Sequence, residues 1–368
     1  MKTNNHVTRL DIDASALEHN LNFFKSKVPL ATKILVVVKA FGYGSDAVKL
    51  ASFLQDKVDY FAVAYTDEGI ALRDQGIDKP ILVLHPHFSS MEAIAKHHLE
   101  PVIYSKGLLD DLLDYCEKYC ISEFPCHLKF NTGLNRLGFA PNEVEEVLSK
   151  LNDSKRLKVI SVFSHIAASE DLNEKEFTLK QISKFKAISK KLDASLPFAP
   201  IKHMLNTSGI LNYSQEASFD MVRLGIGLYG FGNDPEHTQN LKNVVSLHSV
   251  ISQIHEVKTG ETVGYNRAFK AENTVRIATI PVGHADGYLR AFGNGKGYVY
   301  INNQKAFIAG NVCMDMIMVD VTNIPCSEGN PVIVYKDQSH INDLSKRINT
   351  IPYELLTAIS QRVHRKFI

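Results

Sequence analysis

The feature that most constrains the fold is an alternation of short apolar runs and longer amphipathic stretches between residue 34 and about residue 230. The runs are Ile34–Val38, Tyr60–Ala64, Ile81–Leu84, Val102–Tyr104, Cys126–Phe130, Val159–Ser164, His203–Asn206 and Met221–Arg223. They are too short for helices, and their unbroken apolar character suits strands covered on both faces, as in a parallel sheet. Between them, Asp46–Gln55, Thr66–Asp74, Ser89–His97, Lys106–Lys118, Pro141–Leu151, Asn173–Leu192 and Thr207–Tyr213 read as helices. Eight strands with intervening helices predict an α/β fold, a (β/α)8 TIM-like barrel. Because three of the runs are short, a seven-strand doubly wound sheet is the alternative. After Asn233 helical spacing stops, and strand-like runs follow: Leu247–Val257, Val275–Val282, Gly297–Ile301, Ala306–Ala309, Met316–Val321 and Pro331–Tyr335. Asn302-Asn303 is placed to turn a hairpin. The expected organisation is a barrel over residues 11–233 and a mostly-β C-terminal domain over 234–368, in which no helix is read. Residues 1–10, with Val7-Thr8-Arg9-Leu10, are expected to add an extended segment to the second domain.

Charge and cysteine content exclude several functions. The net charge is +1 and no basic stripe appears, which argues against nucleic acid and anionic membranes as partners. No window approaches a membrane span, and the first residues lead into no apolar signal region, so a cytoplasmic location is expected. Five cysteines without a Cys-x-x-Cys pair suit reduced thiols. His85, His87, His97 and His98 lack acidic or cysteine partners at ligand spacing, so no metal is expected.

The residues able to do chemistry sit at strand ends, the face where α/β barrels place their sites. Lys39 follows Ile34–Val38; Gly42 and Gly44 then break the strand, and Ser45 is read as the cap of the next helix. An amine in an apolar mouth has a depressed pKa and can act as a nucleophile or Schiff-base partner. The plainer reading is a lysine snorkelling from a strand end. After the fifth run, Lys129-Phe130-Asn131-Thr132-Gly133-Leu134-Asn135-Arg136-Leu137-Gly138 is a glycine-bearing loop with two cations, suited to an anion or to a plain surface turn. Ser164-His165 closes the sixth run. Asn206-Thr207-Ser208 opens a helix, whose N-terminus suits a phosphate. Glycines in Met221–Gly230 let backbone amides, including those of Gly225 and Ile226, approach the same group.

Taken in order, these segments resemble the alanine racemases. Val37-Val38-Lys39-Ala40-Phe41-Gly42-Tyr43-Gly44 resembles the family's signature for the lysine that holds pyridoxal 5′-phosphate (PLP), with Phe41 and Gly42 in place of Asn and Ala. The loop from Lys129 resembles Lys-x-Asp-Thr-Gly-Met-x-Arg-x-Gly, with Asn131 and Leu134 as departures. Met221–Gly230 resembles Val-Arg-Pro-Gly-x-x-Leu-Tyr-Gly, with Leu224 for proline. Further on, Gly260–Arg267 resembles Gly-x-x-Val-Ser-Tyr-Gly, with Gly264 and Asn266 departing. Gly283–Arg290 carries His284 where the family has tyrosine, Gly310–Met316 resembles Gly-x-Val-x-Met-Asp, and Tyr353-Glu354 matches the C-terminal pair.

The resemblance implies a racemase interconverting L- and D-alanine through a PLP external aldimine, supplying D-alanine for cell-wall peptidoglycan. It implies Lys39 and Tyr265 as the two bases, one for each face of the substrate. Lys39, Tyr43, His165, Asn206, Thr207, Arg223, Gly225, Ile226 and Tyr353 are implied as cofactor contacts. Arg136, Cys313, Met314 and Tyr265 are implied as substrate contacts, and Lys129 as a carbamylation site. The arginine matching Arg223 faces the pyridine nitrogen, and Tyr265 comes from the other subunit of a homodimer. The alternatives are a racemase of broader specificity, a PLP decarboxylase on the same fold, and a non-enzymatic PLP carrier.

Overall fold

The structure is a computed structural model and describes residues 7–232 and 234–368. Residues 1–6 of the expected N-terminal segment, and residue 233 at the expected domain boundary, lie outside the described residues. Strand β1 (Arg9–Ile12) comes first. It is followed by β2 (Lys33–Val37), β3 (Tyr60–Val63), β4 (Ile81–Val83), β5 (Glu100–Ile103), β6 (Phe124–Lys129), β7 (Leu157–Phe163), β8 (Ile201–His203) and β9 (Met221–Leu224). Strands β2 to β9 close into a barrel in chain order. All its pairings are parallel, and β2 returns to β9 with Lys33 opposite Met221. Closure decides against the open doubly wound sheet. The last four residues of β2 and all of β3 are buried, as their continuous apolar character requires.

A helix at Ala14–Lys25 was not expected. Asp13 caps it by accepting from the Ala16 amide, and Leu17, Leu21 and Phe24 form its buried stripe. Asn20 on that helix donates to the carbonyls of Leu228 and Lys242, tying it to the turn after β9.

The second domain contains β10 (Val245–Val250), β11 (Gln253–Val257), β12 (Thr262–Val263), β13 (Phe269–Lys270), β14 (Val275–Ile280), β15 (Tyr298–Ile301), β16 (Gln304–Phe307), β17 (Ile317–Asp320), β18 (Pro331–Tyr335) and β19 (His364–Phe367). They form a six-stranded sheet in the order β16-β15-β18-β10-β1-β19, with β11-β14-β17 and β12-β13 apart. The N-terminal Arg9–Ile12 thus joins the second domain's sheet, antiparallel to β10 and parallel to β19. Asn302 and Asn303 both have positive φ, at 49° and 65°, and turn Ile301 onto Gln304.

Two expectations need correction. Leu247–Val257 is not one strand: the chain changes sheets at Ile251 and Ser252, whose amides bond Asn330 and Thr279 in different partners. The second domain also holds helices at Gln338–Arg347 and Pro352–Thr357, the first capped by Asp337 accepting from the His340 amide. One apolar core runs through both domains, from Leu35 and Val36 to Leu247, Val334 and Leu355. Among the described residues, no helix is long and apolar enough to cross a membrane.

Candidate active site

Beyond β2 the backbone makes a left-handed turn rather than a simple break. Ala40, Phe41, Gly42 and Tyr43 have φ of 53°, 55°, 63° and 52°. Left-handed helical geometry costs roughly 1–2 kcal/mol at each residue with a Cβ, so other contacts must hold it. Glu68 accepts from the Ala40 amide at 2.7 Å and, through its other oxygen, from Ala64 at 2.7 Å. The Tyr229 hydroxyl donates to the Gly42 carbonyl at 2.7 Å. Buried Arg365, from the last strand, donates to the Gly44 carbonyl through Nε at 3.0 Å and Nη2 at 2.8 Å. The expected cap is corrected here: Asp46, not Ser45, accepts from Lys49 and starts the helix Ala47–Leu54. Ser45 is buried, and its hydroxyl has no partner.

The turn aims Lys39 into a cavity of about 350 Å3, which Tyr43, Lys129, Arg136, His165, Asn206, Thr207, Arg223, Gly225, Ile226 and Tyr353 also line. Four cations and no carboxylate face this space among the described residues. Burial lowers the pKa of Lys39, and Arg136 and Arg223 add to the effect against an opposing pull from Glu68. Burial, followed by Arg223, Arg136 and Lys39, pushes Lys129 down to about 8. Burial and the same cations hold His165 well below the ordinary imidazole range, so it is neutral. Such a surface calls for an anionic occupant.

Arg223 is fixed on all sides. Nη1 donates to His203 Nδ1 at 2.7 Å; Nη2 lies 2.8 Å from the Ser164 carbonyl, 3.0 Å from Met204 and 3.0 Å from His165 Nδ1. Leu224 in place of proline leaves this arrangement intact. At the other end of the cavity, Asn206 caps the helix Thr207–Ala217 by accepting from the Gly209 amide. The Thr207 hydroxyl accepts from the amides of Gly227 at 3.2 Å and Gly225 at 3.4 Å. A Cβ on Gly225 would lie 2.6 Å from the Tyr43 hydroxyl, so glycine there admits the tyrosine. Asn131 keeps the acceptor that aspartate would offer: its Oδ1 bonds the amides of Gly133 and Asn135, both at 3.0 Å.

Tyr265, Cys313 and Met314 do not line this cavity. They form a second group on the β domain. Asn311 donates to the Tyr265 carbonyl at 3.1 Å, and the amides of His284 and Ala285 donate to the carbonyls of Cys313 and Met314, both at 3.0 Å. Tyr265 is 73% exposed and Met314 60%. Sequence reasoning missed Glu68, Tyr229, His203 and Arg365. His203 carried a signal, being polar within a buried strand, and Tyr229 stood in the Leu-Tyr-Gly of the Met221–Gly230 segment; Glu68 and Arg365 act through backbone contacts that no local pattern announces.

The family model described as "Alanine racemase, N-terminal domain" matches residues 12–233, and that described as "Alanine racemase, C-terminal domain" matches residues 244–367. An alanine racemase from Helicobacter pylori is 35% identical over 374 residues, covering 98% of each chain. The solved alanine racemase of Clostridium difficile superposes with a TM-score of 0.91 at 32% identity, covering 98% of this chain and 96% of that one. An alanine racemase from Bartonella henselae, described with covalently bound pyridoxal phosphate, superposes with a TM-score of 0.88 at 30% identity, covering 98% and 99%. With both family models and near-complete coverage in agreement with the barrel and its strand-end residues, the chain belongs to the alanine racemase family.

Proposed function

We propose that this protein interconverts L- and D-alanine with PLP carried on Lys39, and so supplies D-alanine for peptidoglycan. The observation that carries the reading is a cavity in which a desolvated lysine and a buried, immobilised arginine meet with no carboxylate among the described residues that line it. The residues fit PLP: an amine of lowered pKa for its aldehyde carbon, the Ile226 amide and the Thr207 helix N-terminus for its phosphate, and Arg223 for its ring nitrogen. When bound, PLP supplies conjugation that acidifies the Cα–H bond of an attached amino acid.

The chain's own residues then do the rest. Lys39 Nζ, biased toward its neutral form, takes or returns the Cα proton on one face. Arg136, exposed at the cavity wall, pairs with the substrate carboxylate, assisted by the Cys313–Met314 segment of a second copy. Tyr265 serves the opposite face from that second copy, because in its own chain it stands outside the cavity. The working unit is thus a homodimer with twofold symmetry. His165 Nδ1 accepts from Arg223, which leaves the hydrogen on Nε2 free to meet the tyrosine oxygen. Arginine keeps its proton, so Arg223 does not transfer one to the ring nitrogen, which disfavours decarboxylation.

A chiral assay of the purified protein with PLP against a panel of amino acids tests this reading. Alanine is expected to be interconverted fastest, from both antipodes. Release of carbon dioxide in place of racemisation, preference for another amino acid, or bound PLP without turnover would each refute it.

Lys129 carries a separate expectation. A neutral amine adds to carbon dioxide, forming an N–C bond and releasing one proton; the resulting carbamate is an anion beside Arg136. With its pKa near 8, Lys129 presents far more neutral amine at neutral pH than an ordinary lysine. Isotope-labelled bicarbonate should give one carbamate carbon signal in NMR of the protein, absent in Lys129→Ala. A signal that persists in the variant would reassign it, and no signal in the parent protein would remove the modification.

A further inference from the structure

A file of buried polar side chains that the proposed reaction does not use crosses the barrel interior from Arg223. His203 Nε2 lies 2.9 Å from Ser161 Oγ, Ser161 Oγ 2.6 Å from His127 Nδ1, and His127 Nε2 2.7 Å from Glu100 Oε2. With the Arg223–His203 bond at 2.7 Å, the file takes one residue from each of β5, β6, β7, β8 and β9. His127, Ser161 and His203 are fully buried. Glu100 is the first residue of β5, at the barrel face opposite the cavity. Tyr60 bonds the same carboxylate. Barrel interiors are ordinarily filled by branched apolar side chains, so a polar file there must be fully satisfied to be tolerated.

With one hydrogen on each imidazole, only one direction along it satisfies every link. A guanidinium has donors alone, and an ionised carboxylate has acceptors alone. Arg223 therefore gives to a bare His203 Nδ1, and the His203 hydrogen sits on Nε2 and goes to Ser161. The one serine hydrogen then points to His127 Nδ1, and His127 Nε2–H points to Glu100. In that arrangement each link has one hydrogen, and reversing any one link sets two donors or two acceptors face to face. Among the described residues Arg223 has no carboxylate partner of its own: its bonds go to two imidazoles and two carbonyls.

Resting on the reading that Arg223 faces the cofactor, we propose that Glu100, His127, Ser161 and His203 are positioning residues forming a one-way relay. The relay fixes the donor geometry of Arg223 and links it to a carboxylate on the far side of the barrel. It acts through Arg223 and touches neither substrate nor cofactor.

Nitrogen NMR of histidine-labelled, full-length holoprotein tests it. His127 and His203 should both be Nε2–H tautomers at neutral pH. Ser161→Ala removes the central link; His203 should then show mixed tautomers, and kcat should fall about tenfold, as expected when a functional group is slightly misplaced, while KM for alanine changes little. Glu100→Gln keeps an acceptor for His127 but no charge, so the tautomers should persist with a smaller loss of kcat. An Nδ1–H tautomer at His203 in the parent protein, or unchanged tautomers and kcat in folded Ser161→Ala, would overturn the relay. If the parent protein racemises nothing, the functional reading fails, and the tautomers still decide the relay.

Discussion

Tyr265→Ala is expected to cripple proton removal from L-alanine while leaving exchange of the D-alanine α-proton largely intact. Each base reaches only one face of a planar carbon centre, and the two candidate bases arrive from different places. Lys39 is held on the left-handed turn after β2, inside the cavity. Tyr265 stands on the β domain, 73% exposed in its own chain. By family resemblance the lysine handles the D-antipode and the tyrosine the L-antipode. A positioned general base contributes ~10²–10⁴-fold, so the asymmetry should be plain. Deuterium uptake at Cα from heavy water, started from each enantiomer, measures it. Equal loss from both antipodes, with fold and PLP content intact, would mean a single base or another partner for Lys39. Truncation at so exposed a side chain is not expected to destabilise the fold by more than about 0.5 kcal/mol.

What was legible in the sequence follows from how strongly local chemistry dictated it. Barrel strands such as Ile34–Val38 stood out because burial on both faces demands an unbroken apolar run, and eight such runs with helices between them leave few topologies. The observed strand β2 ends at Val37, one residue short, because Val38 already begins the turn. Site residues were legible where they ended those runs: Lys39, Lys129, His165, Asn206, Thr207 and Arg223 converge on one cavity because a closed barrel gathers strand ends.

The left-handed turn at Ala40–Tyr43 was not legible, since three of its four residues carry Cβ atoms and favour right-handed geometry in isolation. Its conformation depends on Glu68 and on Arg365, which bonds Gly44 from the far end of the chain. The helix at Ala14–Lys25 was overlooked although its signals were present: the Asp13 cap and the Leu17, Leu21, Phe24 stripe. The corner at Ile251–Ser252 has neither glycine nor proline to mark it, so two strands of different sheets read as one. His127 and Ser161 fell inside expected strands and Glu100 just before one, and only the register across β5, β6 and β7 aligns their polar atoms.

In the proposed homodimer, one working site takes Lys39 from one copy of the chain and Tyr265 from another. The direct measurement is subunit mixing. Lys39→Ala removes the amine proposed to carry the cofactor and should be inactive with both antipodes; Tyr265→Ala should fail to racemise, since one face would lack its proposed base. Mixed in equal amounts and allowed to exchange, half of the dimers become hybrids, and each hybrid has one site with both native residues. About a quarter of all sites should then regain native turnover, as twofold symmetry requires. Recovery to that level in a chiral assay of alanine is the predicted result. No recovery, with hybrid dimers demonstrated by mass spectrometry of differently tagged chains, would show that each site is built within a single chain and would contradict the account.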